Sequence, residues 1–348
     1  MIAKHLTPET SPLRHQRTIS SRSAPISNLL WVRRLPNPRF LLLGGYSTSS
    51  FGQDLVLCIY DVHTHKTLFM KKILEVSDEI LPEIKMAKSG PYVALAELGE
   101  SNSISFYHVS DLRKRVSAYN HPTNLHSIAI NKRYGHLYVS DYSPQVSVID
   151  IAAGTKKNSI SILPYGQARG LHFHNVRQKL VVAAFTAILI IDVKRNEIEH
   201  AIVANKLQTN LLYGIESIIG ATSDFSYVVF KSGELEDCPS KNFLNTRFFH
   251  YLECYHVESR KVMRVEIDLN PDERLICSPS SDSVLFLDSK GKTNLLRFET
   301  LTNKRVEMND LIAQGGLKNC LFLKNPQRKT LRFASHTHNR LELISIKH

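Results

Sequence analysis

The residues of this chain best spaced to do chemistry are three histidine pairs two positions apart: His63/His65, His172/His174 and His336/His338. On a β-strand, residues i and i+2 point the same way, so each pair would offer two imidazoles to one metal ion. Glu253-Cys254-Tyr255-His256 adds a Cys-x-His pairing. Asp150, at the end of the β-rich run "YVSDYSPQVSVID", is the carboxylate to weigh for acid-base work. The nucleophile elbow G-x-S-x-G, the Walker loop and a G-x-G-x-x-G following a strand are all missing from the sequence.

What must position these residues is a repeat. "HLYVSDYSPQVSVIDIAAG" from His136 and "KLVVAAFTAILIIDVKRN" from Lys179 both read as strand, short join, second strand ending on hydrophobic-Asp-hydrophobic, then a polar turn. The same ending recurs at Asp61, His108, Asp150, Asp192, His256, Glu299 and Lys347, with gaps of 42 to 48 positions and one of 64. Each unit also carries an earlier strand with period-two alternation, such as Ile84 with Met86, Ile128 with Ile130 and Leu171 with Phe173. Four short strands in a period of roughly 40 to 50 residues is the signature of propeller blades.

These spacings predict an all-β fold: a seven-bladed β-propeller with four antiparallel strands per blade. The last unit offers only "CLFLKN", "LRFASH" and "LELISI", so "RTISSRS" from Arg17 is expected to supply its missing outer strand and close the ring, since a closed ring must hide its edges. Residues 1–16 read as a flexible basic tail and 17–348 as one propeller domain. The 64-residue gap implies a blade-five insertion at about 231–248. A short helical turn is expected within 204–217.

The run from Tyr138 resembles the YVTN-type repeat, in which Tyr-Val-Thr-Asn precedes a short join and a Val-Ser-Val-Ile-Asp strand. Tyr138, Val139, Asp141, Val146, Ser147, Val148, Ile149 and Asp150 carry the likeness. The WD-repeat family is the wider relative, but Trp31 is the single tryptophan and no Trp-Asp closes a strand. The resemblance implies a propeller and transfers no activity. Arg33-Arg34 lacks the Phe and Gly that surround the paired arginines of the PROPPIN family of phosphoinositide-binding propellers, so that role is not transferred either.

On this architecture Asp150 is structural: a carboxylate that recurs at the same turn in several blades bonds the turn's free N–H groups. The first histidine pair falls in a third-to-fourth strand turn and the last in a second-to-third turn, on opposite sides, so they cannot share one ion. No metal ligand, cofactor or catalytic residue is assigned, His336 and His338 being the strongest metal candidates, and the chain is read as non-enzymatic.

Sorting residues by connection separates the charges. First-to-second and third-to-fourth turns are basic: Arg113, Lys114, Arg115, Lys132, Arg133, Lys156, Lys157, Lys194, Arg195, Arg260, Lys261, Lys304 and Arg305. Second-to-third turns and interblade connections are richer in acids, and Tyr46, Phe51, Tyr119, Tyr142, Tyr165 and Phe185 punctuate them. With Phe243 and Arg247 of the insertion they form the expected partner-binding face.

The bulk numbers agree. A length of 348 residues with 43% hydrophobic content supplies a large core, and 44 Lys and Arg against 32 Asp and Glu, net +12, favours acidic partners. Five widely spaced cysteines without a CxxC argue against structural zinc or a redox dithiol, and point to the cytoplasm or another reducing compartment. Met1 to Ser27 lacks the apolar run of a signal peptide; its arginines and serines suit a mitochondrial presequence, but Pro8 and Pro12 spoil the helix one needs. The leading reading is a non-catalytic scaffold that binds a protein partner. The alternatives are a propeller enzyme or metal-binding protein with a site at the central channel mouth, and an adaptor docking an anionic membrane or nucleic acid through its basic face.

Overall fold

The computed structural model describes residues 16–23, 26, 28–35, 39–49, 52–64, 66–76, 83–98, 102–109, 111–203, 212–222, 224–236 and 247–267, together with strands between 276 and 347. These residues form seven four-stranded antiparallel sheets, divided between two compact units.

One unit draws on both ends of the chain. Its first sheet runs β2 (Asn28–Arg34), β3 (Phe40–Ser49), β4 (Gly52–Asp61) and β5 (Lys66–Val76). A second sheet holds β22 (Ile276–Cys277), β23 (Ser283–Leu287), β24 (Thr293–Arg297) and β25 (Asn303–Arg305). The third contains β26 (Cys320–Leu323), β27 (Thr330–Thr337) and β28 (Arg340–Lys347), and its fourth strand is β1 (Gln16–Ser23), paired antiparallel with β28 from Gln16↔Ile346 to Ser23↔Arg340. The N-terminal strand thus covers an edge that would otherwise template association.

The other unit contains four sheets in chain order: β6 (Glu83–Ser89), β7 (Tyr92–Leu98), β8 (Ser103–His108) and β9 (Asp111–Asn120); β10 (Ser127–Asn131), β11 (His136–Ser140), β12 (Gln145–Asp150) and β13 (Thr155–Ser161); β14 (Ala168–His174), β15 (Lys179–Ala184), β16 (Ala187–Asp192) and β17 (Glu197–Val203); and β18 (Leu212–Ala221), β19 (Tyr227–Glu236), β20 (Arg247–His256) and β21 (Lys261–Ile267). The middle strands of the β10 and β14 sheets are apolar on both faces because each of these sheets has a neighbour on both sides. Leu180, Val182 and Ala184 of β15 pack with Ala129, Tyr138 and Phe173 of the preceding side, while Val181 and Ala183 pack with Phe225, Val228 and Phe230 of the following one. Tyr138 and Phe173 stack with centroids 5.4 Å apart. The fourth strand meets solvent, so β13 reads Thr-Lys-Lys-Asn, all exposed.

Two local expectations change. Leu212–Ala221 is a strand, not a helical turn: Ile215, Ile218 and Ile219 are β-branched and Gly214 and Gly220 break helices; residues 204–211 lie outside those described. The segment set apart at 231–248 begins inside β19 and ends inside β20, whose ladder runs from Tyr227↔His256 to Glu236↔Arg247. The extra length therefore lengthens a hairpin, and 237–246 lie outside the described residues.

Candidate functional site

The recurring strand-end residues cap turns. Asp61 accepts the N–H of His63 at 2.9 Å and of Thr64 at 3.3 Å, Asp150 that of Ala153 at 2.9 Å, and Asp192 those of Lys194 at 2.8 Å and Arg195 at 3.3 Å. His256 does the same with Nδ1, accepting the Ser259 N–H at 3.1 Å. Arg39 adds a two-pronged contact to Asp61 (2.9 and 2.6 Å), and this guanidinium holds the carboxyl well below the usual carboxylate range. Lys179, 2.8 Å from Asp192, helps lower that carboxyl to about 2. First-to-second turns have their own cap in Asn131, which accepts the N–H groups of Arg133 at 3.0 Å and Tyr134 at 3.4 Å.

The structure describes one histidine pair in full and one member of each of the other two. His63 sits exposed in the β4–β5 turn, and His65 lies outside the described residues. His174 is buried, accepts the Arg177 N–H at 3.2 Å and lies 4.8 Å from the Phe225 ring. Burial, with the neighbouring His174, drives the His172 imidazole down to about 4. His336 stands on β27 and His338 lies outside the described residues. Among the described residues no group of three or more His, Cys, Asp or Glu could hold a metal. Cys254 is buried on β20 beside Glu253, which accepts hydrogen bonds from Ser232 Oγ at 2.8 Å and Arg264 Nε at 2.9 Å.

The expected aromatic face is reshaped. Tyr46 is 2% exposed, three residues inside a β3–β4 ladder that runs out to Ser49↔Gly52, and so leaves it. Tyr119 lies in β9, half-buried against the core. Phe51 and Phe243 lie outside the described residues, and Arg247 opens β20. Tyr142 and Phe185 stand out at 46% and 44% exposure, joined by Leu163 at 68%. Tyr165 is half-buried against the core. Leu163 is not among the expected residues; its signal is an apolar residue just before Pro164 in a connection between sheets.

These side chains ride on pinned loops. The connection from β13 to β14 holds a single 3-10 turn, Leu163–Tyr165. On one side the Ile162 N–H donates to Pro144 O at 2.9 Å and the Ala168 N–H to Ser143 O at 3.1 Å; on the other, the Phe185 N–H donates to Gln167 O at 3.0 Å and the Thr186 N–H to Tyr165 O at 3.2 Å. Tyr142, in a left-handed conformation (φ 62°), packs against the His126 ring at 4.3 Å. Asp141 fastens its turn, accepting Ser143 Oγ–H at 2.5 Å and Thr123 Oγ–H at 2.7 Å, with buried His121 at 3.8 Å. The Arg169 guanidinium covers the Phe185 ring at 4.5 Å. Across the connections 120–126, 141–144, 162–169 and 184–187 the acids and bases besides histidine are Asp141 and Arg169 alone. That corrects the expectation of an acidic face here: this stretch carries almost no charge.

The expected basic residues are spread over several sheets of both units, and not all sit in turns. Lys132 and Arg133 are in the β10–β11 turn and Lys194 and Arg195 in the β16–β17 turn, all exposed. Lys114 and Arg115 lie on β9 and Lys156 and Lys157 on β13, exposed on fourth strands; Arg113 is also on β9. Exposed Arg260 ends the β20–β21 turn and exposed Lys261 opens β21, and Lys304 and Arg305 are on β25. Between the β14 and β18 sheets a cleft of about 380 Å³ is lined by Arg177, Lys179, Glu199, His200, Asp224 and Glu258 among others. Lys179 bridges Asp192 and Glu199 (2.5 Å) at its wall.

Known proteins resemble this chain in fold. No family model matches it, and no curated protein matches it in sequence. Among solved structures, Kuenenia stuttgartiensis hydrazine synthase is similar with a TM-score of 0.61 at 14% identity, over 92% of this chain and 96% of that one. The β-propeller domain of Cps50 (Swd1) from Myceliophteria thermophila is similar with a TM-score of 0.59 at 11% identity, over 93% and 99%. The chain has the β-propeller fold. At these identities the likeness reaches the fold and stops there. No helix among the described residues is long and apolar enough to cross a membrane.

Proposed function

We propose that this propeller is a non-catalytic scaffold, and that the neutral face around Tyr142, Leu163 and Phe185 docks an uncharged, apolar segment of a protein partner. The observation that carries the reading is Leu163. A leucine 68% exposed is held in place by main-chain hydrogen bonds to a turn on each side, between two exposed aromatic rings. Side chains held rigid before binding lose little conformational entropy on binding, and aromatic rings are favoured interface anchors. The scarcity of charge along these connections excludes a strongly charged segment, which would lose its hydration here without gaining an ion pair. The carboxylates that recur at strand ends are spent on turn N–H groups, which supports a structural role for them over a catalytic one.

The test is affinity purification with wild-type protein beside a Leu163→Asp/Phe185→Asp variant and a Lys132→Glu/Arg133→Glu control, each confirmed folded by circular dichroism. A partner whose capture is lost on the first variant, retained on the control and insensitive to salt supports the reading. Equal capture by both variants overturns it.

A further inference from the structure

At the opposite ends of the same sheets, we infer a binding site for single-stranded nucleic acid on the surface of β9, β13 and the β10–β11 turn. Residues 111–161 carry seven Lys and Arg (Arg113, Lys114, Arg115, Lys132, Arg133, Lys156, Lys157) against three acids (Asp111, Asp141, Asp150). Asp141 serves Thr123 and Ser143, and Asp150 caps Ala153. Lys114, Arg115, Lys132, Arg133, Lys156 and Lys157 are all exposed, and among the described residues none of them is ion-paired. Elsewhere in the molecule Arg39, Lys179 and Arg264 each pair with a carboxylate.

The cations share one surface because neighbouring sheets interlock there. Ser117 Oγ–H of β9 donates to the Ile151 carbonyl, and Gly154 packs on Ser117 and Ala118, which brings the start of β13 against the strand bearing Lys114 and Arg115. In their midst stands an aromatic ring. Tyr134 is 42% exposed; the Arg133 guanidinium lies 5.7 Å from its centroid and the His136 ring 6.0 Å away. His136 Nε2 is 3.3 Å from Lys157 Nζ. An ammonium only donates, so Nε2 accepts and the imidazole is neutral, consistent with burial and Lys157 holding its pKa below the ordinary value.

An exposed ring flanked by a guanidinium and an ammonium matches the parts of a nucleotide: the ring takes an unstacked base and the cations take the phosphates beside it. A duplex hides its base faces, and the described surface offers no helix to enter a groove. A membrane surface would use the charges alike, and the vesicle arm of the experiment separates the two.

The experiment titrates labelled oligouridylate into the full chain by fluorescence anisotropy across a salt series, with phosphatidylserine vesicles as a parallel arm. Expected are binding at about 100 mM salt with a negative slope of log affinity against log salt, a loss of about fivefold or more for Tyr134→Ala with retention in Tyr134→Phe, and a shallower slope for Lys156→Glu/Lys157→Glu. Vesicle binding without oligonucleotide binding, equal affinity of Tyr134→Ala and wild type, or an unchanged slope after charge reversal overturns the inference. The neutral face plays no part in these readouts, so a Leu163→Asp/Phe185→Asp variant, once folded, binds the oligonucleotide as wild type does.

Discussion

Gly154 lies so close to Ala118 that a methyl group on its α-carbon would sit 2.6 Å from the Ala118 carbonyl oxygen. The two residues belong to neighbouring sheets, and the glycine is also left-handed at φ +67°. Gly135 has nearly the same conformation, φ +62°, with nothing within 4 Å of an added Cβ. The pair separates backbone strain from crowding. Gly135→Ala should cost about 1 kcal/mol, the penalty of left-handed backbone alone. Gly154→Ala should cost clearly more, because backbone must move. Urea unfolding of both variants checks this; equal losses would show that the two sheets do not interlock as described.

The strand-end caps make a second prediction. Asn131 is fully buried and satisfies two turn N–H groups. Asn131→Ala should lower stability by about 1–3 kcal/mol by stranding those donors, while Asn131→Asp, which keeps the acceptor, should recover much of the loss. Thermal unfolding distinguishes the two variants.

The acid limb of stability should fall in two windows. His172 is held at about 4 when folded and titrates near 6.5 when unfolded, so the unfolded chain binds more protons between those values. Stability is therefore full above about pH 6.5 and declines towards pH 4. Asp192 and Asp224, both at about 2 in the folded protein, act in the next window, losing their contribution as pH falls from the ordinary carboxylate value towards 2. His121 and His136 are also lowered chiefly by burial and share the sign of His172. In melting temperature against pH, His172→Gln should flatten the decline between pH 6.5 and 4 and leave the lower window unchanged.

The strands and their caps were legible because their physics is local. Alternation marks β10 and β14, and a carboxylate following an apolar run marks the turn that needs an acceptor. Placement of individual side chains was harder. Tyr46 stood among the residues expected in second-to-third turns and interblade connections, yet it lies within β3 with Gly44 and Gly45, Gly44 opposite Trp31. Glycine in a strand interior marks a bulge, a bend or a close backbone approach. Lys114 and Lys156 read as turn residues because a solvent-facing fourth strand has the composition of a turn. Leu163 escaped notice because exposure depends on what the folded loops leave uncovered, and no periodicity records that.

Apolar docking of a partner on Tyr142, Leu163 and Phe185 is the proposal on which the functional reading stands. Its most direct test is the dissociation constant of the co-purified partner, measured for wild type and for Leu163→Asp by calorimetry at low and high salt. The account predicts an affinity nearly indifferent to salt for the wild type, weakened at least about tenfold by the substitution, a change of ~1.4 kcal/mol. Undiminished affinity in Leu163→Asp, or a wild-type affinity that collapses as salt rises, would contradict it.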